Sequence, residues 1–160
     1  MITARPVPVS KGAFAFCRYS LAALLWIAFF IRHAHPAIAL DLLVLSAAIL
    51  ALSAVLTVQY APLVALYTHT LDRIAPSPKE MLDVNAMRFA HILGTVLVSI
   101  PAILIATGLP HAGWAFLFFV AIAKTAGALG FCGASKLYAC ATSGGSCCSF
   151  LRRGRGCCGQ

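Results

Sequence analysis

Four long apolar segments constrain the fold of this chain more than any other feature. A helix that crosses a bilayer takes about 20 apolar residues. The first segment reaches that length only when Arg18 is included, because a long basic side chain can extend from the apolar region to the interface. Short polar stretches separate the segments, so consecutive helices run in opposite directions. The sequence predicts an all-α, integral membrane four-helix antiparallel bundle, with spans at about 13–32, 37–60, 88–109 and 113–133.

Composition supports a lipid environment. The chain is 61% hydrophobic and only 10% charged, whereas charged residues make up about 25% of a typical soluble domain. So few charges cannot cover a soluble globule, and the bilayer is the expected partner. A net charge of +8 would also suit a nucleic-acid-binding protein. The basic residues, however, lie at the ends of the apolar segments, where they set membrane orientation, so no nucleic-acid partner is expected.

The distribution of basic residues predicts the orientation. One side of the predicted membrane carries almost all of them, and the opposite side carries only Arg32. Because Lys and Arg accumulate on the cytoplasmic side, both termini are expected in the cytoplasm of a multi-pass protein of the cell (inner) membrane. The residues on the basic side are Arg5, Lys11, Arg18, Arg73, Lys79, Arg88, Lys136, Arg152, Arg153 and Arg155.

A cleaved signal peptide is the alternative for the first segment. A basic start, a short apolar run and the small residues of 37–39 fit that pattern. Against it, Arg32, His33 and His35 separate the run from the cleavage site, and the next segment is again apolar enough to span. We therefore expect a first transmembrane helix.

The chain divides into three parts. Residues 1–12 form a polar cytoplasmic lead, expected to be disordered, and residues 13–140 form the transmembrane domain. Within that domain, the proline-containing stretch 75–80 cannot continue a helix. Residues 141–160 form a flexible, basic, cysteine-rich tail, introduced by a Ser/Gly linker at 143–146.

Cysteines provide the clearest indication of chemistry. Cytoplasmic thiols are normally kept reduced, so they are more often catalytic or metal-binding than structural. Cys132 lies near a helix C-terminus, where the dipole disfavours a thiolate, but Lys136 one turn later favours it. Cys17 should lie at the same depth, and the two thiols can meet if the first and fourth helices are neighbours. Cys132 and Cys17 are the candidate catalytic residues.

Two vicinal cysteine pairs in the tail indicate a second kind of site. Arginines lie between the pairs, and nearby arginines stabilise thiolates. Four thiolates on a flexible arm suit a soft ion such as Cu(I), Zn(II) or Hg(II). The alternatives are an inert disordered tail or, in a eukaryotic host, palmitoylation. The candidate metal ligands are Cys147, Cys148, Cys157 and Cys158.

Lys124 is a charge inside the fourth segment. A lysine within the membrane is a functional candidate by default, and Asp41 is one possible partner. Lys124 lies about 12 Å along a helix from Cys132 and on a different face, so it is not expected to activate Cys132 directly. His33, His35 and His91 are interpreted as polar residues of the interface rather than metal ligands.

The end of the fourth segment resembles a bacterial family of small four-helix membrane proteins known only as a domain of unknown function. Its members typically end in Gly-Phe-Cys-x-Gly-Cys-x-x-Tyr and carry Pro-x-Arg-Phe-Ala-x-x-x-Gly at the third helix. The resemblance covers most of residues 5–140. The matching residues are Gly130, Phe131, Cys132 and Tyr138 in the first pattern, and Arg88, Phe89, Ala90 and Gly94 in the second.

Three departures from that family pattern concern function. Ala134 replaces a glycine, Ser135 replaces the second cysteine and Ala86 replaces the proline. A Cys-x-x-Cys pair can cycle through an internal disulfide, and a Cys-x-x-Ser pair cannot. The dithiol chemistry that the resemblance implies therefore needs Cys17 or Cys140 as a substitute.

These features lead to three hypotheses. The first is an integral membrane thiol protein that handles sulfane sulfur or redox equivalents at the cytoplasmic face, served by a thioredoxin-like or sulfur-carrier protein. The second is a transporter or binder of a thiophilic ion, mercury- or copper-like, with the soft metal ion held by the tail thiolates. The third is a non-catalytic membrane subunit or anchor.

Overall fold

The computed structural model describes residues 6–56, 60–72 and 76–130, and within them the chain is almost entirely helical. Four long helices and one short helix carry the fold, and two short strands pair beside them. The elements in chain order are β1 Pro6–Ser10, α1 Lys11–Ile31, α2 Pro36–Val55, α3 Pro62–Thr70, β2 Lys79–Asp83, α4 Val84–Ala106 and α5 Pro110–Ala128.

Four of these helices, α1, α2, α4 and α5, are long and apolar enough to cross a membrane. They pack as a closed ring in which α1 contacts α2, α2 contacts α4, α4 contacts α5 and α5 contacts α1. The predicted four-helix bundle is therefore confirmed. The ring also fulfils the condition that the first and last spans are neighbours.

The bundle has two distinct ends. We call the end where α1 and α4 begin and α2 and α5 finish the strand end, because β1 and β2 lie there. The opposite end, with the connections at 32–35 and 107–109, is the turn end. A proline starts each of α2 and α5 at the turn end. The first N–H groups of a helix have no partner within the helix, so proline loses no helical hydrogen bond there. Gly108 has φ +86° in the second connection, a conformation that favours glycine.

The core lies along the centre of the ring. Its largest fully buried side chains include Leu25, Leu43, Leu50, Val98 and Leu117. Large apolar side chains also point outward, as expected of helices whose outer surface faces lipid. Examples with more than half of their surface exposed are Phe30, Val55, Ile103, Phe119 and Leu129.

A small cap of polar contacts covers the strand end. β1 and β2 pair antiparallel, with Val7 opposite Leu82 and Val9 opposite Glu80. Asp72 accepts a hydrogen bond from the backbone N–H of Ser77 at 3.1 Å and one from the Ser10 hydroxyl at 3.3 Å. The backbone N–H of Gly12 donates to Ser77 Oγ at 3.2 Å.

This cap differs from the sequence-based expectation. The lead was expected to be disordered, but Pro6–Ser10 is a paired strand. The short helix α3 was not predicted as a separate element, and it packs on α1. Both elements are stabilised by partners far away in the chain, which local sequence does not reveal.

Candidate functional site

Three polar side chains from three different helices gather inside the strand-end half of the bundle. They are Cys17 of α1, His91 of α4 and Lys124 of α5, and we call them the interior polar cluster. Cys17 and His91 lie six and seven residues beyond the starts of their helices, which corresponds to about 9 and 10 Å of helix. Lys124 lies four residues, or about 6 Å, before the end of α5. The three residues therefore occupy similar depths in the bundle.

Lys124 links the other two members of the cluster. Its positive charge lies within electrostatic reach of both Cys17 and His91. Cys17 is only 3% exposed and His91 only 9% exposed. Charge interactions are screened much less in such surroundings than at a surface in water. The Lys124 charge can therefore influence the protonation of the Cys17 thiol.

Gly94 of α4 makes the space for the Lys124 amine. A Cβ added at Gly94 would lie 2.5 Å from Lys124 Nζ and 3.4 Å from Leu50 Cδ2. The amine thus lies directly against the α4 backbone, one turn from His91. A larger residue at position 94 would displace the amine from this place.

Arg18 adds a second positive charge beside Cys17. Its guanidinium carbon lies 5.2 Å from the ring centroid of Phe14, one turn earlier in α1. Its Nη2 atom is buried and makes no hydrogen bond among the residues that the structure describes. The expectation that Arg18 extends to the membrane interface stays a prediction.

The cluster contains one thiol, one imidazole and one amine. Positive charge near a cysteine favours the thiolate, which is the nucleophilic form, whereas burial in apolar surroundings disfavours it. Within residues 6–56, 60–72 and 76–130, no group of three or more His, Cys, Asp and Glu side chains could hold a metal ion. Cys17 and His91 by themselves fall short of the four ligands of a closed zinc site.

Sequence reasoning singled out two of the three cluster members. Cys17 was a candidate catalytic residue and Lys124 a functional candidate inside the fourth segment, and the structure places both in the cluster. His91 was interpreted as interfacial, but it is buried. Asp41, the suggested partner of Lys124, is exposed and lies nearer the turn end, about 13 Å from Lys124 along the bundle axis. The sequence contained one indication of the cluster: the distances of Cys17, His91 and Lys124 from the ends of their segments place the three residues at comparable depths.

The other predicted site residues lie outside the described part of the chain. This holds for Cys132, for Cys140 and for the tail cysteines Cys147, Cys148, Cys157 and Cys158. The pairing of Cys17 with Cys132 and the soft-metal site of the tail therefore stay predictions.

Comparison with known proteins identifies a family. A family model described as a domain of unknown function (DUF4395) matches residues 16–142, which is most of the chain and includes the whole interior polar cluster. No curated protein and no solved structure matches the chain significantly.

Proposed function

We propose that this chain, which belongs to the DUF4395 family, is a membrane thiol protein that receives sulfane sulfur or redox equivalents at the cytoplasmic face. One observation carries the proposal: Cys17 is buried inside the bundle, with the charges of Lys124 and Arg18 within electrostatic reach. Reactive cysteines lie in electropositive and partly exposed surroundings, whereas cysteines fully buried in apolar surroundings are inert. Cys17 has positive charges nearby but is only 3% exposed, so we assign it the role of the second thiol, which reacts with a cysteine of the same chain and not with the donor.

The proposed reaction uses two thiols. Cys132, four residues beyond the end of α5 in the chain, attacks the outer sulfur of a persulfide donor as a thiolate. The S–S bond of the donor breaks, the donor leaves as a thiolate, and Cys132 becomes a persulfide. The Cys17 thiolate then attacks the inner sulfur of this persulfide, forming a Cys17–Cys132 disulfide and releasing hydrosulfide. The sulfane sulfur is reduced by two electrons and the thiol pair is oxidised by two.

A cytoplasmic dithiol protein of the thioredoxin-like kind closes the cycle. Its thiolate attacks the Cys17–Cys132 disulfide, and a second thiol of the same protein resolves the mixed disulfide. In this cycle Cys17 takes the role that the second cysteine of Cys-x-x-Cys has in the family pattern. Ser135 at that position cannot take it, because serine forms no disulfide.

The interior polar cluster supports this function more than metal transport. Lys124 places a positive charge inside the bundle, and a like charge opposes the passage of a metal cation. The same charge favours the Cys17 thiolate. Soft-metal binding by the tail cysteines is a separate property and is independent of this path.

The test uses membranes that hold the full chain with Cys140 and the four tail cysteines changed to serine. Treatment with glutathione persulfide should release hydrosulfide and leave a disulfide between Cys17 and Cys132. The additional change Cys17→Ser should stop the release and leave a persulfide on Cys132, seen by mass spectrometry as one added sulfur atom. Equal hydrosulfide release with and without Cys17 would contradict the proposal.

A further inference from the structure

A groove at the turn end lies between the last turn of α1 and the first turns of α5. Its walls are largely aromatic, and its rim carries one guanidinium and two imidazole groups. No carboxylate is among the described residues that line it. We call it the turn-end groove, and it is lined by Phe29, Arg32, His33, Pro110, His111, Trp114, Ala115, Phe118 and Phe119.

Arg32 is held at the wall of this groove. Its guanidinium carbon lies 3.8 Å from the ring centroid of Phe29, and Nη1 donates a hydrogen bond to the Phe29 carbonyl oxygen at 2.6 Å. A guanidinium has five N–H donors in a fixed plane. The stacking and the single bond to Phe29 fix that plane, while further donors remain for a ligand. Such a planar group binds phosphate through paired hydrogen bonds.

The aromatic wall continues from the rim toward the middle of the helix bundle. The rings of Phe29 and Phe118 lie 5.5 Å apart, and Trp26 lies 5.9 Å from Phe118. Phe119 is exposed. An amphipathic ligand with an anionic head and an apolar chain therefore matches both parts of the groove, with its head at the rim and its chain along the rings.

We propose that the turn-end groove binds an anionic phospholipid of the bilayer. The phosphate lies against Arg32, with His33 and His111 beside it, and one acyl chain follows the aromatic wall. The location favours a lipid over a soluble anion, because the groove opens at the ends of two helices long enough to span a membrane. The basic rim and the absence of carboxylates among the lining residues favour an anionic head over a zwitterionic one.

The two tryptophans of the chain report on this groove. Trp114 lines it, and Trp26 contacts its wall. Bromine atoms near the interfacial end of an acyl chain quench tryptophan fluorescence at short range. The full chain is therefore reconstituted in phosphatidylcholine vesicles that contain either brominated phosphatidylglycerol or brominated phosphatidylcholine, and the quenching is compared.

Wild-type protein should show preferential binding of the brominated phosphatidylglycerol, about fivefold for one basic contact. Arg32→Gln should remove that preference, and Arg32→Lys, which retains the charge, should keep part of it. Lys11→Gln removes one exposed charge at the strand end and should leave the preference unchanged. Absence of a preference in the wild type, or its full retention in Arg32→Gln, would overturn the proposal. An equal loss of the preference in Lys11→Gln and Arg32→Gln would also overturn the proposal, because it would show that the total positive charge of the protein attracts anionic lipid without a specific site.

Discussion

At the scale of single residues, the contact between Gly94 and Lys124 determines where a positive charge lies inside the bundle. The amine rests against the α4 backbone, where any side chain larger than glycine would meet it. From that position its charge reaches both Cys17 and His91. The reactivity of Cys17 is therefore expected to depend on residues in two other helices.

Replacing Lys124 should lower the nucleophilicity of Cys17. In a chain where Cys17 is the only cysteine, Lys124→Met removes the charge that favours the thiolate. The rate of alkylation by a small membrane-permeant iodoacetamide should fall about fivefold, which corresponds to a change of ~1 kcal/mol. Lys124→Arg keeps the charge and should retain most of the rate. An unchanged alkylation rate in Lys124→Met would show that Lys124 does not influence the reactivity of Cys17.

A pair of glycine substitutions provides a matched control for this prediction. Gly94→Ala forces the flexible end of Lys124 to move, so alkylation should slow toward the Lys124→Met rate while the bundle stays folded. Gly127→Ala adds the same methyl group at a position where no atom of the described residues, apart from the adjacent helix backbone, lies within 4 Å, and it should leave the rate as it is. If both substitutions slow alkylation equally, displacement of the amine is not the cause.

At the scale of elements, a hydrogen bond joins the first and last spans. Trp26 Nε1 donates to Thr125 Oγ1 at 2.9 Å. Thr125→Val removes the acceptor at nearly constant shape, and the free energy of unfolding in mixed micelles should fall by ~0.6 kcal/mol, with ~1.7 kcal/mol as the upper limit for such bonds in membranes. Thr107→Val is the control, because among the described residues the Thr107 hydroxyl donates to the backbone carbonyls of Ile103 and Leu104 in the last turn of α4 and not to another helix. An equal loss of unfolding free energy in both variants would show that any threonine-to-valine change has this effect, and that the bond to Trp26 contributes nothing specific.

The cap at the strand end should depend on pH. The Ser77 backbone N–H, the Ser77 and Ser10 hydroxyls and the charge of Lys79 hold the pKa of Asp72 below its ordinary value of 3.8. A lowered folded-state pKa means that ionised Asp72 stabilises the cap above that value, and that the stabilisation is lost as the pH falls through the folded pKa.

Hydrogen exchange measures this effect. Asp72→Asn should speed exchange of the β1 amides at neutral pH, where the wild type is protected. As the pH falls from the ordinary pKa of aspartate through the lowered pKa of Asp72 in the folded protein, the two proteins should converge. A constant difference between them at all pH values would show that Asp72 acts through shape and not through its charge.

The elements also show how far the sequence determines this fold. The four spans were predictable because each apolar segment must satisfy its backbone as a helix in lipid. β1 and α3 were not, because Pro6–Ser10 is a strand only through pairing with Lys79–Asp83. The interior polar cluster was missed for a similar reason. Its formation depends on which helices are neighbours and which faces they turn inward, and neither can be deduced from one segment alone.

At the scale of the whole molecule, the orientation of the chain determines in which compartment its thiols meet their partners. Basic residues predict that both termini are cytoplasmic. A membrane-impermeant maleimide added to intact cells should therefore leave Cys157 and Cys158 unlabelled until the cells are permeabilised. Strong labelling from outside would reverse the orientation and place the thiols away from cytoplasmic partners.

The closed ring of helices meets one condition for the proposed thiol pair, because α1 and α5 are neighbours. The Cα atoms of a disulfide lie within about 7 Å, which makes disulfide formation a direct test of proximity. Cys17 lies about 9 Å inside the strand end, and Cys132 follows α5 by four residues. The pair therefore also requires the chain to turn back toward α1 after Gly130, whose φ of +103° ends the helical path.

The most direct measurement is peptide mapping after mild oxidation in membranes. The chain carries Cys17 and Cys132 only, with Cys140 and the four tail cysteines changed to serine. The account predicts one intramolecular disulfide that links the two thiols and disappears on reduction. If both thiols stay open to alkylation after oxidation, Cys17 is not the partner of Cys132, and the thiol cycle proposed for this protein is contradicted.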